Sequence, residues 1–140
     1  MKLLRVGQKG NEKPAAIDKD GKIRDISSYF EDLNPDNVNF ETISKLEGAD
    51  LSSLPEISSS ERIGSCITKP GKFVAIGLNY SDHAAETGAA VPTEPIMFMK
   101  ATSSICGPND DVEIVSGSKK LDWEVELGII IGKDAKHIQK

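Results

Sequence analysis

Three stretches of this 140-residue chain hold side chains that could do chemistry together. In "LDWEVELGIIIG" acidic residues recur at alternate positions. Alternation along a strand puts Asp122, Glu124 and Glu126 on one face and Trp123, Val125 and Leu127 on the other. The Cα atoms of Glu124 and Glu126 would lie roughly 6.6 Å apart, close enough for both carboxylates to converge on one hard cation such as Mg2+, Mn2+ or Ca2+. An isolated acidic strand face is ordinarily solvated, because carboxylates are rarely buried alone. Here the strand continues into Ile129, Ile130 and Ile131, so burial on both sides is expected, with the acidic face turned into a cleft. Two glutamates fill only part of a coordination shell, and further oxygens must come from elsewhere in the protein, from water or from substrate.

The second stretch, "GLNYSDHAAETG", follows the apolar run "KFVAI". With Ser81 as cap and Gly88 as terminator, a short helix is expected in which His83 and Glu86, at i and i+3, share a face. A histidine whose tautomer is fixed by a carboxylate offers its other ring nitrogen as a general base, and an ordinary pKa of about 6.5 suits that near neutrality. Taken alone, such a pair is more often a solvated surface contact. Its place between two glycines at the end of a strand favours function, because catalytic loops and lids commonly sit there. The third stretch, "EPIMFMKATSSICGP", ends an apolar run with Lys100 and continues into Thr102, Ser103 and Ser104, a charge and hydroxyls able to hold a substrate carboxylate. Met97 and Met99 read as core. His137 and Gly77 receive no role.

These groups need strands to position them. Beyond Gly71 the runs "KFVAIG", "IMFMK", "SSI", "DVEIV" and "WEVELGIIIG", broken by glycine, proline and aspartate, make the second part of the chain mainly β. Before it, "LLRVG" is a strand, and "AAIDKDGKIRDIS" is a hairpin turning at Asp20-Gly21. "FETISKLEG" is a short amphipathic helix capped by Asn39, ended by Gly48 and facing inward through Phe40, Ile43 and Leu46. The serine-rich stretch from Ser58 to Pro70 reads as a connection, which gives a small N-terminal α+β domain over 1–65 and the first part of a larger β domain over 66–140.

Composition narrows the classes. Hydrophobic residues at 38% and charged residues at 28% describe a globular chain with one real core. A net charge of −5 without a basic stripe argues against nucleic-acid binding. No apolar run reaches the roughly 20 residues of a membrane span, and the start lacks a secretory pattern, so a cytoplasmic location is expected. Cys66 and Cys106 are expected to be buried, reduced thiols.

Together, "GLNYSDHAAETG", "PIMFMKATSSICGPND" and "LDWEVELGIIIGKDAK", in this order and spacing, resemble the fumarylacetoacetate hydrolase family over about Lys72 to Lys136. The resemblance implies a mainly β (α+β) fold, a mixed rolled β-structure around a divalent metal, preceded by a small N-terminal domain. It implies that Glu124 and Glu126 bind Mg2+ or Mn2+. His83 and Glu86 would form the catalytic pair of a lid, Lys100 would be a further catalytic group, and Tyr80, Ser103 and Ser104 would contact substrate. The implied activity is hydrolysis of a C–C bond in a 2,4-dioxo (diketo) acid, such as a diketo-deoxy sugar acid or acylpyruvate, by a homodimer. Isomerases, hydratases and decarboxylases of 2-oxo acids share the family, and a self-associating, non-catalytic fragment is the competing reading. The family's third metal ligand is an aspartate on a later strand, and no such position falls within these residues. An incomplete metal site in the N-terminal half of a longer enzyme is therefore expected.

Overall fold

The computed structural model describes residues 1–139. The chain divides into two compact units, one comprising Met1–Thr68 with Cys106–Lys140 and the other Lys69–Ile105.

The first unit is built on an antiparallel meander of β1 (Lys2–Val6), β2 (Lys13–Ile17), β3 (Ile23–Asp25) and β4 (Glu56–Ile57), in that order. Leu4 lies opposite Ala15 and Leu3 opposite Ala16, so strand alternation sends successive residues to two different cores. On one face Leu4, Val6, Ala15 and Ile23 pack together with Ile17, Ile57 and Ile63. On the other, Ala16 joins Ile26, Phe30, Leu33 and Leu46. Small alanines at the centre of β2 let both layers approach the sheet closely, and both are fully buried.

The hairpin expected at Asp20-Gly21 forms, and Asp18 holds it. The Asp18 carboxylate accepts from the Asp20 and Lys22 amides at 2.9 Å each and from Arg24 Nε at 2.7 Å, while Gly21 takes a positive φ of 81°. Helix α1 (Phe40–Glu47) also forms as expected, with Asn39 accepting from the Thr42 amide at 2.9 Å and Gly48 following the last turn. Its inward face is narrower than the periodicity suggests. Leu46 is buried and Ile43 partly so, whereas Phe40 is 75% exposed.

A chain of ion pairs ties distant segments of this unit to β1. Arg5 is buried and donates to Asp32 at 2.6 and 2.9 Å and to Glu12 at 3.3 Å. Arg62 donates to the second oxygen of Glu12 at 2.8 Å, and grips Asp110 through two parallel bonds of 2.6 Å. The backbone supports the same junction, with the Gly7 amide donating to Arg62 O and the Gly64 amide to Arg5 O.

Residues 111–139 form no helix or strand. The buried strand expected in "WEVELGIIIG" is therefore not seen: Trp123 is 85% exposed, Val125 91%, Ile129 and Ile131 76% each. A strand exists through ladder bonds to a neighbour, and this run belongs to neither of the two sheets, β1–β4 and the pair formed by the later strands. "DVEIV" fails to form a strand for the same reason.

The second unit is a two-stranded antiparallel sheet of β5 (Phe73–Gly77) and β6 (Ile96–Lys100), with α2 (Ser81–Thr87) in the connection. Phe73 pairs with Lys100 and Gly77 with Ile96. All five residues of β6 are exposed, and within this unit Ala84 alone among the described residues is buried hydrophobic.

Small antiparallel sheets with two short α-helices make the described chain β-rich, as expected. No helix is long and apolar enough to cross a membrane among the described residues. Cys66 and Cys106 are free thiols, as expected, but exposed rather than buried, because both fall in irregular segments beside the sheets.

Candidate functional site

Strand β5 ends at Gly77, and the chain turns through Leu78, whose φ of 48° is unusual for a branched side chain. Tyr80 is extended and precedes the helix, its carbonyl accepting from the Ala84 amide. Ser81 is thus the first helical residue and not the cap, and no side-chain cap bond forms at Tyr80. Asp82 supplies negative charge in the first turn, where the helix dipole favours it, and its carboxylate accepts from the His83 amide at 2.9 Å. Gly88 ends the helix in the left-handed conformation at φ 68°, as its sequence position implied. The Ala89 amide then closes back on Ala84 O at 2.9 Å, and Thr87 Oγ1 bonds His83 O.

His83 and Glu86 occupy i and i+3 of α2, with His83 partly exposed and Glu86 exposed. No hydrogen bond joins their side chains among the described residues. The helix therefore presents both groups without the carboxylate yet fixing an imidazole tautomer.

Lys100 closes β6 opposite Phe73, and its Nζ lies 5.4 Å from the centre of the Phe98 ring. Residues i and i+2 share a strand face, so the cation rests on that ring while its head stays in water. Thr102–Ser104 form one 3-10 turn. Ser104 Oγ donates to Ala101 O at 2.7 Å, and Ser103 is exposed in the same turn. Tyr80 is 39% exposed at the N-terminus of α2.

Glu124 and Glu126 lie exposed in the irregular run after Leu121. Beside them Asp122 accepts from the Trp123 amide at 2.9 Å. Two carboxylates are the right donor chemistry for Mg2+ or Mn2+, yet no group of three or more His, Cys, Asp or Glu side chains able to hold a metal occurs among the described residues. The described residues thus offer a pair of oxygen donors and not a complete cage.

The strongest electrostatic feature escaped the sequence reading. Arg62 lies in the serine-rich connection and Asp110 in the "GPND" turn, 48 positions apart, and nothing local marks them as partners. The Arg62 guanidinium, helped by the Gly107 amide at 2.7 Å, holds the Asp110 carboxyl down to about 2 from an ordinary 3.8. Its bonds to Asp110 and then to Glu12 raise Arg62 further above its ordinary value. Burial alone would raise Glu12, but hydrogen bonds from Arg62 and the attraction of Arg5 outweigh it and keep Glu12 below its ordinary value.

Residues 72–140 match the fumarylacetoacetate (FAA) hydrolase C-terminal family. Among its relatives, proteins named "Putative hydrolase" in Burkholderia ambifaria (strain MC40-6) and Burkholderia lata are each 51% identical across all 140 residues. A further relative in Burkholderia multivorans is equally similar. The match takes in 100% of this chain and 50% of each relative, so the chain spans about half the length of the curated relatives it matches.

Proposed function

We propose that the whole protein is a divalent-metal-dependent hydrolase that cleaves a C–C bond of a 2,4-dioxo acid, such as a diketo-deoxy sugar acid or an acylpyruvate. One observation carries this reading: every candidate residue, from Tyr80 to Glu126, lies inside the stretch that matches the family. The relatives' printed name supports hydrolysis as the reaction type. The reading includes a rolled β-structure in the whole protein, a homodimer in the cytoplasm, and a 2-oxo acid as the small-molecule partner.

Mg2+ or Mn2+, held in part by Glu124 and Glu126, would supply Lewis acidity toward the oxygens of the 2-oxo acid. His83 takes a proton from the water that attacks the distal carbonyl, through whichever ring nitrogen Glu86 leaves unengaged. Adding that water across the bond gives a 2-oxo acid and a carboxylic acid. Lys100 Nζ binds a substrate carboxylate, with Ser103 and Tyr80 donating hydroxyl bonds. Ser104 contributes by exchanging its bond to Ala101 O for one to substrate. Helix α2 suits a lid, because Gly77 and Gly88 bracket it and it buries a single side chain, Ala84.

The test uses the whole protein with Mn2+ and an acylpyruvate, following release of the 2-oxo acid. Glu124→Ala combined with Glu126→Ala should abolish Mn2+ binding measured by calorimetry. His83→Ala should leave metal affinity intact while lowering turnover by about 10²-fold or more. Unchanged turnover in the His83 variant would return α2 to an ordinary surface helix, and metal binding unaffected by the glutamate changes would sink the proposed ligands.

A further inference from the structure

The two cysteines flank the Lys69–Ile105 unit in sequence, Cys66 shortly before it and Cys106 immediately after. Both are free thiols and both are exposed. The segments that carry them are pinned to each other within the first unit. Gly107 sits so close to the 63–64 backbone that a Cβ there would collide with Ile63 O and lie 3.2 Å from Gly64 Cα. Only glycine allows such an approach, and the cysteines stand one and two positions from the crossing. Arg62 grips Asp110 on one side of the crossing, and the Gly107 amide bonds the same carboxylate at 2.7 Å. The 62–66 segment is further fixed where the Gly64 amide donates to Arg5 O at 2.8 Å and Ser65 Oγ to Ile67 O at 2.9 Å.

From this geometry we infer that Cys66 and Cys106 are an oxidisable pair, which a low-molecular-weight disulfide such as oxidised glutathione converts to an intramolecular disulfide. One thiolate attacks the reagent, forming a mixed disulfide and releasing one molecule of reduced thiol. The second thiolate then displaces the other, so two protein thiols become one disulfide while one small disulfide becomes two thiols. The bond closes a loop holding β5, α2 and β6, and therefore His83, Glu86 and Lys100, by its root. A crossing already fixed by glycine contact and ion pairs keeps the thiols at high effective concentration, which favours the intramolecular product over two separate mixed disulfides. This inference stands apart from the proposed reaction, since neither thiol takes part in it.

The experiment equilibrates the whole protein with defined ratios of oxidised and reduced glutathione, natively and in concentrated urea. Trapped thiols and non-reducing peptide maps identify the products. The expected result is a Cys66–Cys106 peptide linked within a single chain, absent in Cys66→Ser and Cys106→Ser, with an equilibrium constant about tenfold or more larger natively than in urea. Equal constants in the two conditions would show that the fold does nothing to bring the thiols together. Glutathione on each cysteine separately, or links only between chains, would also overturn the inference. Serine replaces an exposed thiol in each variant, and its circular dichroism spectrum, matched to the parent's, confirms that the comparison is made on folded protein.

Discussion

Arg5 should be the residue on which the first unit depends most. It is 5% exposed, and Arg5→Met keeps much of its aliphatic stem while removing the charge. The loss falls unevenly on its partners. Glu12 keeps Arg62 at 2.8 Å and the Gly10 amide at 3.0 Å, so it remains compensated. Asp32 loses both of its guanidinium bonds, at 2.6 and 2.9 Å, and keeps the Leu33 amide. Removing one partner of a buried pair costs about 3–5 kcal/mol. Because the Asp32 side chain retains 20% of its exposure and can recruit water, the lower end, about 3 kcal/mol, applies here. With a urea dependence of about 1–3 kcal/mol per molar, the unfolding midpoint should fall by roughly 1–3 M. Far-UV circular dichroism is the suitable probe, since the single tryptophan, Trp123, is 85% exposed and reports little burial. The double variant Arg5→Met, Asp32→Leu removes the stranded charge along with its partner and should recover most of the loss. A single variant within about 0.5 kcal/mol of the parent, or a double variant no better than the single, would refute the account of Asp32 as a charge stabilised chiefly by Arg5.

Three further outcomes follow from the same unit. The folded-state pKa of Asp110, about 2, lies below its ordinary 3.8, so its pairing contributes stability above that ordinary value and loses it as pH falls through about 2. Asp110→Asn should therefore flatten the acid limb of stability against pH in that window, measured by urea unfolding at stepped pH. An unchanged acid limb would remove Arg62 as the cause. On α1, Leu46→Ala should cost about 2–5 kcal/mol, because the side chain is 2% exposed among Ile26, Phe30 and Leu33. Phe40→Ala, at 75% exposure, should cost under about 0.5 kcal/mol by the same denaturation.

What the sequence made legible was what short-range chemistry decides. The Asp20-Gly21 hairpin and the Asn39 cap each follow from one side chain meeting a nearby backbone, the left-handed Gly88 follows from having no Cβ, and each is present. Ser81 was misplaced by one position because serine at a helix start competes with any extended residue before it, and here Tyr80 takes the cap backbone. Phe40 shows the limit of periodicity, which says which residues share a face and not whether anything packs against its far end. The Arg5–Glu12–Arg62–Asp110 chain was invisible for a different reason: its members span more than a hundred positions and no local pattern marks them, so topology alone makes them neighbours.

The carboxylate pair poses the same problem in sharper form. Alternation correctly says that Glu124 and Glu126 would share a face in a strand, but a strand requires a partner that no single run of residues can specify. With Val125 at 91% exposure and Leu127 at 78%, the apolar side of this run is as open as its acidic side. Burying that apolar face against a neighbouring strand is the step that would give the two glutamates a common direction. Metal affinity at Glu124 and Glu126 should therefore rise together with protection of the Val125 and Leu127 amides from hydrogen exchange. Mn2+ binding in a form whose amides at these positions exchange freely would break that link, and would mean that the carboxylates converge without the strand that their spacing implies.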